Sequence, residues 1–385
     1  MNIILPIAGR AQRFLDDGYL MPKPLIMAKD KHIIDWAIDS IKDYQDHNLI
    51  FIVRQDHIYN FGIDKVLREK FGSNVEIVVV DRVTEGALCT CLLAEKYIDD
   101  SPLLIYTPDV FFGPQFDPKT IDTELDGLLL TFKANSPAHS YVKMEDGLAT
   151  RTAEKEVISN NAAVGVYYFK NGNDFVKYGN QMIDDEEKVN GEYYICPVYN
   201  RLINDGLKIG IEETKAMHVL GTPAELRFFI DYVCSHFDEK PIALCSDHSG
   251  FELKEQFKEA YNGKVIDFGT FFDGSCDYHD YVSQAARAIE DGICSMALGF
   301  CRTGQGINIL ANKYDHIRSA LVFNEYTAEY AVRHNCCNFF SLPSMFLDVD
   351  DINSIVTKIL ESEFEGGRHM TRMKKTIDQG YRHDI

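Results

Sequence analysis

The stretch GFCRTGQGINILANK, residues 299–313, decides the architecture. It reads as strand, loop and helix in immediate succession. The run MALGF at 296–300 is a short apolar strand, residues 301–306 form a loop, and Ile307, Leu310 and Ala311 recur at helical spacing. Gly304 and Gly306 permit a tight turn whose backbone N–H groups converge. Such a nest at a helix start attracts anions, and it also stabilises a thiolate, the reactive form of cysteine. Cys301 is therefore either a reactive group poised in that nest or a small apolar residue closing a strand. The stretch alone leaves both open.

Working outward, strand-like runs alternate with helical ones along the whole chain. NIILPIAG, NLIFIV, VEIVVVD and PLLIYTPD come first; PIALCSD, KVIDFG and MALGF come later. The alternation predicts an α/β class, two Rossmann-like domains with mostly parallel sheets flanked by helices. A helix is expected to end near Val233. A short polar stretch with Pro241 follows, and then a new strand. This divides the 385 residues into domains at 1–235 and 241–385, each large enough to bury a core.

Apolar residues make up 45% and charged residues 25%, the composition of an ordinary globular protein. The formal net charge of −20 argues against nucleic acid or an anionic membrane as the main partner, since both require a basic face. Small phosphates in local basic pockets remain compatible with it. The ten cysteines include no CxxC pair, and MNIILPIAGR runs from strand to turn without the apolar core of a secretory signal. The reading is a cytoplasmic protein with reduced thiols. No apolar run approaches membrane-spanning length.

In the first domain, LPIAGRAQRFLDDGYLMPKPLI (5–26) runs from strand to turn to basic loop. Nucleotidyl transfer needs N–H donors around a triphosphate, fixed positive charge and a divalent cation. Arg13 and Lys23 supply the charge. The segment resembles the signature of the sugar-1-phosphate-type nucleotidyltransferases, A-G-x-G-S/T-R-F followed by P-K-P, with Ala11 at the second glycine and Gln12 at the hydroxyl residue. Further family-like segments follow in order: VDRVTEGALCTCLLA, YTPDV, AEKEVISNNAAVGVYYF, NGEYYICPVYN and LGTPAEL. Together they cover nearly all of residues 1–230.

The resemblance implies Ala8, Gly9 and Gly86 at the nucleotide, Gly86 letting the base approach the backbone. It implies Mg²⁺ on Asp109, Lys155 facing the acceptor's phosphate and Gly165 its body. One departure bears on the metal. Many relatives place a second metal-binding aspartate just before the late G-T, and this chain has Val219 there. Either Glu192 supplies the second carboxylate, or Asp109 acts with phosphates and water.

In the second domain, PIALCSDHSGFELKEQFKE (241–259) is followed by KVIDFGTFFDGSCDYHDY, the opening stretch, IRSALVFNEYTAEYAVRHNCCN and FEGGRHMTRMKK. Strand-end Asp247 and His248 sit where ligands bind in an open α/β sheet. This order closely resembles ribose-5-phosphate isomerase B and the galactose-6-phosphate isomerase subunits over residues 241–378. In that family the residue at Cys301 is the base that moves a proton between C1 and C2 through a cis-enediolate. The resemblance implies that Thr303, Gly304 and Gly306 stabilise the enediolate oxygens. It implies Asp247 and His334 in ring opening, and His248, Arg368 and Arg372 on the terminal phosphate. Asn335 either touches substrate or orders a turn, and His369 reads as structural.

Departures occur here too. Relatives usually carry C-G-T-G, and this chain has Cys301-Arg302-Thr303-Gly304. Where they carry an arginine after H-N-x-x-N, this chain has Met345, and Arg302 is expected either to replace that cation at the substrate or to point into solvent. The resemblances together imply a bifunctional enzyme on the way to a nucleotide-activated sugar. Its substrates would be an NTP and a phosphorylated sugar, its cofactor Mg²⁺ for the first domain and none for the second. A homodimer through the second domain is expected, because the family shares its active sites between two subunits. The alternative is an active transferase whose second domain senses a sugar phosphate or dimerises without catalysing.

Overall fold

Strand alternation sets the layers of the first sheet. In this computed structural model the described residues are 1–385 except 73–74, 114–115, 215, 234–239 and 381–385. Strand β1 (Asn2–Pro6) pairs in parallel with β2 (Asn48–Arg54) and β4 (Leu103–Tyr106), and β2 pairs in parallel with β3 (Glu76–Val80). Ile4 stands level with Ile50 and Ile105, and the three enter one apolar layer. Ile3, Leu5, Phe51 and Leu104 enter the layer on the opposite face. Both faces of these strands are covered, which is why each reads as a continuous apolar run.

Beyond β4 the sheet becomes mixed. Among the described residues nine strands join, in the order β7-β6-β8-β4-β1-β2-β3, with β5 pairing β8 and β9. Here β5 is Gly127–Lys133, β6 Ser140–Glu145, β7 Leu148–Glu154, β8 Asn161–Phe169 and β9 Ile209–Glu213. The expectation of mostly parallel sheets holds, for β1–β4 and for β5 with β9 in this sheet and throughout the second sheet. Asp146-Gly147, both at positive φ, form the two-residue turn that folds β6 back onto β7, and β8 runs antiparallel to β4, β5 and β6.

The second sheet is wholly parallel among the described residues. Its order is β11-β10-β12-β14-β13, with β10 Ile242–Ser246, β11 Val265–Asp267, β12 Met296–Cys301, β13 Ser319–Leu321 and β14 Phe339–Pro343. Leu244, Leu298 and Phe300 face one apolar layer; Ala243, Cys245, Ala297 and Cys301 face the other. The chain forms two compact units, Met1–Phe229 and Ile230–Ile385. The break expected between 235 and 241 falls largely on residues 234–239, outside the described residues.

Both sheets reverse direction once. The chain leaves β1 for β2 and β3 on one side, then returns to place β4 on the other. It leaves β10 for β11, then returns to place β12 opposite. Between β1 and β4, and between β10 and β12, the connections diverge and a crevice opens at the carboxyl ends of the strands.

Candidate active sites

The crevice of the first unit is a cavity of about 350 Å³. Its walls come from the turn after β1, with Gly9, Ala11, Gln12 and Arg13, and from the turn after β4, with Thr107 and Asp109; Lys23 also faces it. Ala11 holds a left-handed conformation, φ 50° and ψ 39°, and begins the short helix Gln12–Asp16. Ala11 thus holds, with a methyl group in place, a conformation that glycine adopts without strain. Lys23 Nζ lies 3.5 Å from Asp109 Oδ2 and 5.9 Å above the Phe14 ring. Among the described residues Arg13 has no carboxylate partner. An anion entering this cavity meets Arg13, Lys23 and the first turn of a helix, while Asp109 stands ready for a cation.

Backbone crowding explains two of the glycines. A Cβ on Gly165 would lie 2.2 Å from Thr107 Oγ1, and the Thr107 N–H donates to the Gly165 carbonyl at 2.9 Å. Gly165 thus packs the turn that carries Asp109. A Cβ on Gly86 would lie 2.3 Å from the Tyr193 carbonyl oxygen, so the close approach there is made by the protein's own main chain. Ala8 is buried beneath the turn, and Gly9 has open space above it.

A second carboxylate, that of Glu225 rather than the expected Glu192, stands near Asp109. A Cβ on Gly221 would meet Asp109 Oδ2 at 3.5 Å and Glu225 Oε2 at 3.4 Å. Val219 pairs with Val110 in the adjoining two-strand ribbon. Glu192 lies outside the lining of this cavity. It stands near Tyr194, whose hydroxyl is pushed up to about 12 by burial and by the Glu192 carboxylate. Lys155 belongs to that neighbourhood too. Its Nζ donates to the Ala138 carbonyl at 2.6 Å, lies 3.6 Å from Glu154 Oε1 and 5.8 Å over the Tyr194 ring. Burial raises the Glu154 carboxyl above its usual range. Glu225 was detectable in the sequence only as the residue three after Thr222, the N-cap of helix Pro223–Phe228.

A Mg²⁺ ion takes one or two carboxylates and completes its shell with phosphates and water. Asp109, half-exposed and held by Lys23 alone among the described ion pairs, fits that requirement, with Glu225 close by.

In the second unit the expected residues fall at two different edges of the parallel sheet. At the carboxyl edge, Cys301 ends β12 at 4% exposure. Asp247 follows β10; its N–H donates to the Phe300 carbonyl at 3.2 Å, and its Oδ1 accepts from the N–H groups of Ser249 and Gly250 at 2.8 and 3.0 Å. Burial raises the Asp247 carboxyl, and those two N–H groups oppose it. Gly304, at φ 72°, leads into helix Gln305–Ala311, and a Cβ on it would strike Leu321 at 2.3 Å. A Cβ on Gly306 would meet the Tyr278 ring at 2.9 Å. Thr303 and Arg302 are exposed. The exposed His248 ring lies 3.3 Å from both the carbonyl and the N–H of Cys276.

Beyond β14, the Ser344 N–H donates to the Cys301 carbonyl and the Met345 N–H to the Arg302 carbonyl, both at 3.0 Å. Met345, 58% exposed, is thus the main-chain neighbour of Arg302. Among the described residues Arg302 has no ion-pair partner.

His334 lies elsewhere. It sits in the last turn of helix Glu325–Asn335, which leaves the carboxyl end of β13 and returns to the amino end of β14. A five-residue strand spans about 16 Å, and that separates His334 from the edge of Cys301. Around His334 gather Glu365, Arg368, His369 and Arg372. His334 Nε2 and His369 Nε2 each lie 3.6 Å from a Glu365 oxygen. Their rings stack at 4.1 Å and 15°. Exposed Asn335 ends the same helix. One chain therefore unites Cys301, Thr303, Gly304, Gly306, Asp247 and His248, and it does not bring His334, Asn335, Arg368 or Arg372 to them.

The imidazoles and Glu365 also resemble a metal triad, their ligand atoms lying within 4.8 Å of one another. Arginines already engage two of the three groups: Arg333 Nη2 is 2.6 Å from Glu365 Oε1, and Arg368 Nε donates to His369 Nε2 at 3.2 Å.

Fold and sites define a two-domain protein, one part nucleotidyltransferase-like and the other of sugar-phosphate isomerase type. Through residues 242–376 the chain belongs to the Ribose/Galactose Isomerase family. It is 35% identical to ribose-5-phosphate isomerase B of Escherichia coli over 138 residues, 35% of this chain and 93% of that one. A Rickettsia conorii protein whose name assigns it to the sugar phosphate isomerases is 37% identical over 137 residues, 35% of this chain and 95% of that one. The amino-terminal region matches the crystal structure of a nucleoside-diphosphate-sugar pyrophosphorylase from Vibrio cholerae. That match has TM-score 0.54 and 25% identity, and covers 59% of this chain and 99% of the other. Among the described residues no helix is long and apolar enough to cross a membrane.

Proposed function

We propose that the protein catalyses two reactions: transfer of a nucleotidyl group from an NTP to a phosphorylated sugar, and aldose–ketose isomerisation of a sugar phosphate. For the first, the observation that carries the reading is the convergence of Arg13, Lys23 and Asp109 on one cavity at the switch point of the sheet. An oxygen of the acceptor phosphate attacks the α-phosphorus, a new P–O bond forms, and the bond to pyrophosphate breaks. Arg13 and Lys23 neutralise the triphosphate, and the first turn after Ala11 offers N–H groups. Asp109, with Glu225 beside it, would hold Mg²⁺, which bound there neutralises charge on the triphosphate.

For the second, Cys301 takes the proton from one carbon of the C1–C2 pair and returns it to the other, with the Thr303–Gly306 turn facing the enediolate oxygens. Asp247 and His334 share ring opening, and His248, Arg368 and Arg372 hold the phosphate. Because these groups lie at opposite edges of one sheet, a complete site takes one edge from each of two copies, and the working form is a homodimer. Joining the two reactions in one chain suits consecutive steps toward a nucleotide-activated sugar.

The test is a panel of NTPs with Mg²⁺ and sugar phosphates, read separately for pyrophosphate release and for isomer formation. Asp109→Asn should reduce pyrophosphate release at least about 100-fold and spare isomerisation. Cys301→Ala should do the reverse. Pyrophosphate release that survives Asp109→Asn removes Asp109 from the transferase site, and a wild-type protein that isomerises no sugar phosphate leaves the second domain a sensor or dimerisation module.

A further inference from the structure

We propose that His369 is a positioning residue for isomerisation: it fixes the Arg368 guanidinium through its Nε2 and fixes the His334 ring by stacking on it. The inference rests on the isomerase reading above. His369 is 4% exposed, while Arg368 and Arg372 are exposed and, among the described residues, have no carboxylate partner. Arg368 Nε donates to His369 Nε2 at 3.2 Å. The other guanidinium nitrogens are left for an anion.

The chemistry explains why an imidazole suits this place. A carboxylate would orient Arg368 equally well, but its charge would cancel the charge that grips a phosphate. A neutral imidazole accepts the hydrogen bond and leaves the guanidinium charge whole. To accept at Nε2 it must carry its proton on Nδ1. Burial, then His334 and the cations of Arg368, Arg372 and Arg333, bring His369 down to about 4 against the Glu365 carboxylate 3.6 Å from its Nε2, so that it is neutral at physiological pH.

The same ring forms one wall of the His334 pocket. His369 lies parallel to it at 4.1 Å, and Tyr330 meets it edge-on at 4.6 Å and 82°. The charged groups facing His334 are Arg333 from its own helix, Glu365 from the segment before the last helix, and Arg368 and Arg372 from that helix. Burial lowers His334, with the arginines acting in the same direction and Glu365 against them. One buried side chain thus orients a phosphate-gripping arginine and the proton-transferring imidazole together.

Two full-chain variants separate these contacts, with ribose 5-phosphate as the probe. His369→Phe keeps a stacking ring and loses the acceptor. It should raise KM about fivefold or more and leave kcat within about twofold. His369→Gln keeps an acceptor and loses the ring. It should leave KM within about twofold and lower kcat about five- to tenfold. In that variant the His334 imidazole, followed by NMR, should titrate closer to its ordinary value of 6.5, because water replaces the stacked ring. Equal losses in both variants, or lowered melting temperature with KM and kcat unchanged, overturn the proposal. So does a His334 midpoint unmoved in His369→Gln. The imidazole titration needs no substrate, so it decides the positioning role even if the wild type fails to turn over ribose 5-phosphate, a failure that counts against the isomerase reading instead.

Discussion

Single residues carry conformational and electrostatic loads that their types only hint at. Ala11 occupies the left-handed region, where an L residue with a Cβ is strained by about 1–2 kcal/mol. Ala11→Gly relieves that strain and costs some unfolded-chain entropy. The expected net gain is about 0.5–1 kcal/mol, seen as a higher melting temperature; a lower one would mean that the methyl group makes packing contacts outweighing its strain. His369 makes stability depend on pH. Its folded value is about 4 against an ordinary 6.5, so between these values the unfolded chain binds the extra proton. Stability therefore rises with pH across the window by about 3 kcal/mol, is fully present above 6.5 and is lost as pH falls through 4. Urea titrations at pH 4.5 and 7 should show this slope in the wild type and much less of it in His369→Gln. An unchanged slope in the variant would mean that other groups produce it.

At the scale of elements, the join between helix Phe251–Ala260 and strand β11 is electrostatic. Lys254 is 0% exposed, and its Nζ lies 2.6 Å from both Asp267 Oδ2 and Glu255 Oε1. Lys258 adds a 2.7 Å contact to the same Asp267 oxygen, and the Gly269 N–H donates to Oδ1 at 2.9 Å. Burial alone would raise Asp267, but the hydrogen bonds from Lys254 and Lys258 hold it below its usual range. The Gly269 carbonyl in turn accepts from the Ser246 N–H at 2.6 Å, directly beneath Asp247, so this cluster props the carboxyl-edge site. Asp267→Asn removes the compensating charge from a buried ammonium and should destabilise the second unit by about 3–5 kcal/mol. Lys254→Met with Asp267→Leu removes both charges and should cost much less. Denaturant midpoints compare them, and a small loss in Asp267→Asn would show that Glu255 suffices for Lys254.

At the scale of the whole molecule, the separation of Cys301 from His334 predicts, on the proposed isomerisation, a site that two chains complete together. Cys301→Ala and His334→Asn should each abolish isomerisation as homodimers. Mixed and allowed to exchange subunits, they form heterodimers in which one site draws both intact edges from different chains. Equal mixing should restore about a quarter of wild-type activity, since half the dimers are mixed and each has one working site of two. No recovery, with subunit exchange verified by mass, would place both residues in the same chain's site. Nucleotidyl transfer should be unaffected throughout.

The sequence by itself determined the α/β class, the isomerase family of the second domain, the nucleotidyltransferase likeness of the first and most of the residues at the crevices. Those features are local: apolar runs, glycine turns and ordered motifs are contiguous in the chain, and Cys301 ends a strand that such runs announce, while Asp247 and Asp109 lie in the turns directly after two others. The antiparallel hairpin is local in the same way, its turn being Asp146-Gly147. The tertiary structure decided which residues meet. It set Glu225 beside Asp109 and left Glu192 with Tyr194. It paired Met345 with Arg302 across two strands, and it gathered Glu365 and His369 around His334. It also divided the residues proposed for isomerisation between opposite edges of a sheet. These relations depend on strand order and on the direction of crossover helices, and no spacing along the chain encodes them, because residues far apart in sequence are brought together only when the sheet closes its cores on both faces.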